Sequence, residues 1–339
     1  MKTLQRKFLL LAAALTVFFA MLAARYFFSA LPIDKPQTVT VSSGMTLRPL
    51  LNDLAERGVL TKPTWLYAYA RLSGQAALRT GEYAVEPTHT PVDLLRMLNE
   101  GRVVTASFTI VPGQNRWQVR DQLADEGWIK GETFDALCDD GDFLKKHDVP
   151  GPTCEGYFYP ETYTFARGVS AEAIFDEAFA LYKKTLGEIT QGGRGPLDFD
   201  DRQFMTLAAI VEKETGAPDE RPRIACVFYN RLRAKPPWPL ATDPTVIYAA
   251  ILADPNFDGN ITRYHLRQLE NPYNTYKVKG LPPGPIAAAG REAMEAVANP
   301  IECGDYFFVS MNNGRHVFCP TLDCHNKAVQ KWQIDYFRR

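Results

Sequence analysis

The stretch FLLLAAALTVFFAMLAARYFF, residues 8–28, carries no charge before Arg25. Its first seventeen residues are apolar or nearly so, and the aromatic flank Tyr26–Phe28 extends them enough to cross a hydrocarbon core of roughly 30 Å as one helix. Lys2, Arg6 and Lys7 precede the run and are expected to stay cytoplasmic, which puts everything after about residue 30 on the other side. The alternative is a cleaved signal peptide. Against it, the run exceeds the usual apolar region of roughly 7–15 residues, and Arg25 with the bulky Tyr26–Phe28 spoils a small-residue cleavage site. The expectation is therefore a single-pass anchor in an inner membrane: 1–7 cytoplasmic, 8–28 spanning, 29–37 (ending in LPIDKPQ) a linker, and the remainder periplasmic.

The rest of the 339-residue chain, 46% hydrophobic overall, is ample for more than one packed core. A formal net charge of −1 offers nothing to a polyanion, so no nucleic-acid partner is expected. Cysteines stand at 138, 154, 226, 303, 319 and 324. Outside the membrane they are free to form disulfides, with Cys138–Cys154 and one pair from Cys303, Cys319 and Cys324 as local candidates; burial as free thiols stays open. A zinc site from His316, Cys319, Cys324 and His325 is disfavoured. Cys324 and His325 are adjacent and would point to opposite faces of a strand, and the spacing matches no common zinc pattern. No metal and no cofactor are expected.

Two segments resemble each other. VSSGMTLRPLLNDLAERGVL (41–60) and VPGQNRWQVRDQLADEGWI (111–129) each read as a strand end, a turn glycine and an amphipathic helix closed by glycine. Gly44 and Gly58 match Gly113 and Gly127, and Leu54 matches Leu123. Between them PTWLYAYARLSG, GEYAVEP and TPVDLLRMLNEG read as helix, strand and helix, giving a small β-α-α-β module over 38–103 whose pattern resembles the LysM-like module that binds cell-wall glycan, a spacer without ligand being the alternative, then a connecting α/β segment over 104–150. From 151 to 339 a mixed α+β domain is expected. It holds the aromatic segment CEGYFYPETYTFARG and helices over 170–188, 201–215 and about 220–234, the last with Asp219 as N-cap. A helix capped by Asp243 with Pro244 at its first position follows, then one ending near 298, a hairpin turning at Asn313–Gly314, and a final helix from about 325.

The chemistry-bearing stretch is TLAAIVEKETG, 206–216. At about 100° per residue, Phe204, Leu207, Ala208 and Val211 form one buried stripe. Glu214 projects about 20° from Leu207 at one border, and Glu212 lies roughly 160° away at the other. The two cannot serve one substrate atom together. Glu214 stands in the last turn, at the negative end of the helix dipole and partly against apolar side chains, both of which raise a carboxyl pKa and retain a proton for general acid chemistry. A surface glutamate paired with Lys213 or Arg221 is the plain alternative.

AAIVEKETG, VFYNRLR, TDPTVIYA, NPYNTY, GLPPGPIA and CHNKAV occur in the order and approximate spacing of one family. The chain resembles the YceG-like lytic transglycosylases, the endolytic murein transglycosylases, over nearly its whole length. The resemblance implies a LysM-like module over 38–103, a transglycosylase domain over 151–339, a catalytic Glu214 and a structural Glu212. It implies cleavage of the MurNAc–GlcNAc bond within nascent glycan strands to 1,6-anhydro ends, which terminates strand elongation, and peptidoglycan synthases (penicillin-binding proteins) as partners. Substrate-lining candidates are Tyr157, Tyr159, Glu161, Asn230, Thr242, Asp243, Tyr273, Asn274 and Tyr276, since aromatic faces suit sugar rings and amides suit hydroxyl and acetamido groups. AKPPWPLA departs from the family by placing Ala241 where glutamine is usual, with Trp238 as a substitute stacking face. A hydrolytic muramidase, with Glu161, Glu220 or Asp243 as a second carboxylate, and a non-catalytic glycan-binding scaffold are the rival readings.

Overall fold

The computed structural model describes residues 2–42 and 44–336, the side chains of 2–9 and Ala12 lying outside that description. The fold is mixed α+β with small two-stranded sheets. Two compact units divide the chain, one of residues 1–107 and 164–169, the other of 108–163 and 170–339.

The first unit starts with α1 (Lys2–Phe28), followed by β1 (Gln37–Val41), α2 (Leu47–Glu56), α3 (Pro63–Leu72), β2 (Gly81–Val85) and α4 (Pro91–Glu100). β1 and β2 pair antiparallel with Val39 opposite Tyr83, and alternate residues point inward, as a sheet with one buried face requires. Into that face pack Leu50, Leu51 and Leu54 of α2, Leu66 and Ala70 of α3, and Leu94, Leu95 and Leu98 of α4. α4 has a sharp start: Thr90 and Asp93 each bond the other's backbone N–H at 3.1 Å, with Pro91 at the first helical position. Segment 29–37 does not run free as a linker, because Leu31 and Ile33 are buried in this core, with Tyr26 and Phe27 packed against it. The expected anchor over 8–28 begins on side chains outside the described residues. Among the described residues no helix is long and apolar enough to cross a membrane.

The chain continues through β3 (Thr105–Thr109), which pairs with β4 (Thr162–Ala166); two of the three boundaries between the units fall inside these strands and the third after residue 169. Between them come α5 (Arg116–Asp125), α6 (Gly131–Cys138) and α7 (Gly141–Lys146). The internal likeness seen in the sequence is one of helix ends. Leu54 and Leu123 are both fully buried, and their carbonyls accept from Val59 N and Trp128 N, each at 2.8 Å. Gly58 and Gly127 supply the left-handed turn between (φ 75° and 72°).

After β4 follow α8 (Ala171–Ile189), α9 (Asp201–Glu214), α10 (Arg221–Arg233), α11 (Asp243–Ala253), α12 (Arg263–Gln268) and α13 (Arg291–Ala298), then the hairpin β5 (Phe307–Ser310) and β6 (His316–Cys319), and α14 (Leu322–Val329). α9 is the centre of this unit. A capping box of Asp200 and Gln203 starts it. Every residue from Phe204 to Val211 is buried, because α10, α11 and α13 pack around it. The single stripe read from the sequence is thus an underestimate: Met205, Thr206, Ala209 and Ile210 are inside as well.

Three further expectations are corrected. Asp219 does not cap α10, which starts after a 3₁₀ turn; its carboxylate takes the Arg315 guanidinium at 2.8 Å. Asp243 does not cap α11 but is its first residue, behind Thr242. The last helix begins at 322, where Thr321 accepts from Cys324 N. All six cysteines are paired: Cys138–Cys154, Cys319–Cys324 and, 77 residues apart and outside the local candidates, Cys226–Cys303. The two sulfurs of the disfavoured zinc reading are bonded to each other.

Candidate active site

α9 stops abruptly at Glu214 because Thr215 is extended (φ −146°, ψ 139°), and its hydroxyl accepts from Ala217 N at 2.9 Å. Glu214 is therefore the last helical residue, part-buried, with its carboxyl turned into a groove of about 550 Å³. Arg231 of α10, Trp238, Ala241, Asp243, Tyr276, Phe307 of β5, His316 of β6 and His325 of α14 line the same groove. Trp238 is 40% exposed and sits 5.1 Å from the Tyr306 ring and 5.8 Å from that of Phe307, centroid to centroid. A flat aromatic wall thus stands beside an acid.

Around Glu214 the hydrogen bonds are few and specific. The Thr242 hydroxyl donates to Oε1. Thr242 is itself fixed, its N–H donating to Thr275 Oγ1 at 3.1 Å and its carbonyl accepting from Thr245 Oγ1 at 2.8 Å. The Tyr276 hydroxyl donates to Asp243 Oδ1 at 2.6 Å. Burial pushes the Glu214 carboxyl up to about 7; the Thr242 bond pulls it back, Asp243 pushes it further up, and Arg231 opposes. Arg231 acts on the acid only through its charge, making no ion pair with it among the described residues, while its Nε donates to the Tyr306 carbonyl at 2.8 Å and Nη1 to that of Leu240. The arrangement keeps a proton on a carboxyl near neutral pH, as a general acid needs.

Glu212 faces elsewhere. Its side chain is 7% exposed and takes Arg221 Nη2 at 2.9 Å and Gly290 N at 3.0 Å, while Arg221 also reaches Glu292. It ties α9 to α10 and to the start of α13. Lys213 donates to the Gly113 carbonyl at 3.0 Å, so neither it nor Arg221 pairs with Glu214.

Of the residues singled out in the sequence, the structure brings Glu214, Thr242, Asp243 and Tyr276 together. Tyr157 and Tyr273 line a different, smaller cavity. Tyr159 is buried, its carbonyl accepting from the Tyr163 hydroxyl. Glu161 is exposed and accepts from its neighbour Thr162 N at 2.9 Å. Asn230 does not reach the groove: its amide donates to the carbonyls of Cys303 (3.1 Å) and Asp305 (2.9 Å), beside the Cys226–Cys303 disulfide. Asn274 is wholly buried and holds its loop by donating to the carbonyls of His265 and Leu269. Arg231 was not singled out, and His316 and His325 were weighed only as members of the disfavoured zinc set. Arg231 left a signal, since it follows fully buried Ile224 by seven residues, about 20° away on the helix, and so falls on the buried stripe. The histidines left none, because the hairpin and α14 reach the groove only through tertiary packing.

The family model described as the YceG-like family matches residues 39–331. Over 320 residues the chain is 28% identical to an endolytic murein transglycosylase of Bacillus subtilis, covering 89% of this chain and 87% of that protein. It is 26% identical to an endolytic murein transglycosylase of Streptococcus pneumoniae, over 92% of this chain but 63% of the length of that protein. Among solved structures, a yceG-like protein from Listeria monocytogenes superposes with a TM-score of 0.57 at 29% identity, covering 87% of this chain and 99% of that one.

Proposed function

The chain belongs to the YceG-like family, and from that premise we propose that it is a lytic transglycosylase that cuts peptidoglycan strands internally, with Glu214 as its acid. The observation that carries the proposal is one carboxyl, raised to about 7 by burial, in an aromatic-walled groove of about 550 Å³. Oε1 is engaged by Thr242, which leaves Oε2 for the proton. That proton goes to the oxygen linking N-acetylmuramic acid to N-acetylglucosamine, and the C1–O bond breaks. The C6 hydroxyl of the same muramyl ring attacks C1 and gives its proton to the ionised Glu214. The acid is thereby restored, a 1,6-anhydro end forms and no water is consumed. Intramolecular attack gains from proximity, since nucleophile and electrophile share one ring. Trp238 and Tyr276 offer stacking faces, and Asp243, oriented by Tyr276, favours positive charge at C1.

A second carboxylate in the groove, Asp243, keeps hydrolysis as the alternative, because two-carboxylate glycosidases place one group to activate water or attack C1. Purified cell wall digested by the chain and by Glu214→Gln, with products read by mass spectrometry, decides. Anhydro ends from the wild type and none from the variant support the proposal. Reducing ends favour the hydrolase, and a variant as active as wild type removes Glu214 from the chemistry. Wild type that binds wall without cutting it leaves only the scaffold reading.

The proposal includes a membrane anchor over 8–28 and a periplasmic catalytic unit. Supporting it, α1 is continuous, and Leu10, Leu11, Phe18, Phe19 and Met21 are exposed around it, as on a helix surrounded by lipid. The disulfides suit an oxidising compartment. The β-α-α-β order of β1 to β2 supports a LysM-like glycan-binding role for 38–103. Tethering raises the effective concentration of the acid at strands still being made, beside their synthases, and so ends their elongation.

A further inference from the structure

A cavity of about 200 Å³ at the N-terminal end of α5 shares no lining residue with the Glu214 groove. Arg116, Glu155, Tyr157, Arg202, Tyr248 and Tyr273 face it, and 42%-exposed Leu252 stands on its wall. Glu155 and Tyr157 are only 4% and 1% exposed. Four buried polar atoms gather here: Arg116 Nε, Arg202 Nε and the Tyr157 hydroxyl have no hydrogen-bond partner, and Glu155 Oε1 belongs to a carboxyl that Tyr248 also hydrogen-bonds. Two neighbouring atoms already have partners, since Glu155 Oε2 accepts from Arg116 N at 3.2 Å and Arg116 Nη1 pairs with Asp139. Arg202 has no ion-pair partner among the described residues. A buried polar group left unpaired is destabilising, so several converging on one cavity call for an occupant.

The inventory describes that occupant. Three groups can donate, and two of them, the Arg Nε atoms, can do nothing else; one oxygen can only accept when ionised. The complement is a carboxylate next to a single N–H. A sulfate ester supplies the acceptors but no donor for an ionised Glu155. We propose that this cavity binds the carboxylate end of a short peptide, the terminal carboxylate on the two guanidinium groups and Tyr157, and the last amide N–H on Glu155. On the peptidoglycan reading, from which only the source of the peptide is taken, that is the end of a stem peptide. α11 contributes to both places, Asp243 at its start lining the Glu214 groove and Tyr248 facing this cavity from about 140° further round the helix.

The test is calorimetric titration of the full chain in detergent with N-acetyl-alanyl-alanine, all-L and all-D, and with the same peptides ending in an amide. One of the acids is expected to bind, with its amide about tenfold weaker or worse, the usual penalty for losing a charged hydrogen bond. Tyr157→Phe and Arg202→Gln are each expected to weaken the acid about tenfold. Gly284→Ala should weaken it too, since its methyl lies 3.3 Å from the Tyr273 hydroxyl and 3.6 Å from Arg202 Nε and fills space while removing no polar group. Glu214→Gln should bind like wild type while failing to cut cell wall, which separates this inference from the cleavage reading. The proposal is overturned if neither acid binds at millimolar concentration, which leaves the cavity to water. It is overturned equally if acid and amide bind alike, or if the three cavity variants, folded by circular dichroism, bind unchanged.

Discussion

At the scale of single residues, Glu214 couples chemistry to stability. Its folded pKa, about 7, lies above the ordinary 4.5, so the folded state holds the proton more tightly than the unfolded one. The stability associated with that proton is fully present below about pH 4.5 and is lost as pH rises through about 7. Glu214→Gln cannot ionise, so it should unfold at higher temperature than wild type above pH 7, by the equivalent of roughly 1–3 kcal/mol, and match it below pH 4.5. Thermal melts of both proteins across that range check this. Glu155, raised to about 7 chiefly by its own burial, shifts both proteins alike and cancels from the difference. Cleavage should fall as pH rises through about 7, where the acid loses its proton. Thr242 donates to the ionised form, so Thr242→Val should move that alkaline limb upward by roughly one pH unit while lowering the plateau through poorer positioning. A limb that stays in place would mean the hydroxyl does not govern the acid.

At the scale of elements, the two glutamates of α9 divide labour. Glu212 is part of a buried ion pair whose Arg221 keeps Glu292 as a second partner, so Glu212→Ala should cost less than the about 3–5 kcal/mol of a fully stranded charge, read in chemical denaturation. The Glu214→Gln change should cost activity instead. The disulfides divide similarly. Cys226–Cys303 closes a separation of 77 residues and Cys319–Cys324 one of 5, so loop entropy assigns them about 4.5 and 2 kcal/mol. Yet Cys319–Cys324 joins β6 to α14, the elements that carry His316 and His325 into the groove. Replacing it with serines should therefore reduce cleavage out of proportion to its small effect on melting. Most helices were legible because capping boxes and apolar spacing are local properties, as at Asp200 and Thr90. Asp219 and Asp243 misled as caps because each is engaged by a distant partner, Arg315 or Tyr276, and local sequence carries no trace of that competition.

At the scale of the whole molecule, α1 enters the first unit at its C-terminal end. Tyr26 donates to the Lys62 carbonyl at 3.1 Å, the Phe27 ring lies 4.9 Å from that of Tyr69, and Leu31 and Ile33 are in the core. If the proposed anchor over 8–28 holds, a chain beginning at Arg25 should leave the membrane fraction yet melt like the full chain. One beginning at Asp34 loses two buried aliphatic side chains and should melt roughly 5 °C lower or more. Equal melting of the two shortened chains would show that this end of α1 adds nothing to the unit. What the sequence alone determined was whatever depends on neighbours in the chain: the apolar run, the helices and hairpin, the projection of Glu214 away from Glu212, and the motifs of its family. The tertiary structure alone decided which distant residues meet. Asn230 and Asn274 went to hold backbone carbonyls, Arg231, His316 and His325 came to line the groove of the acid, and Tyr157 and Tyr273 turned into another cavity. The reason is physical: periodicity sets the direction of a side chain about its own helix axis, whereas its partner and the burial that shifts its pKa are set by elements tens of residues away.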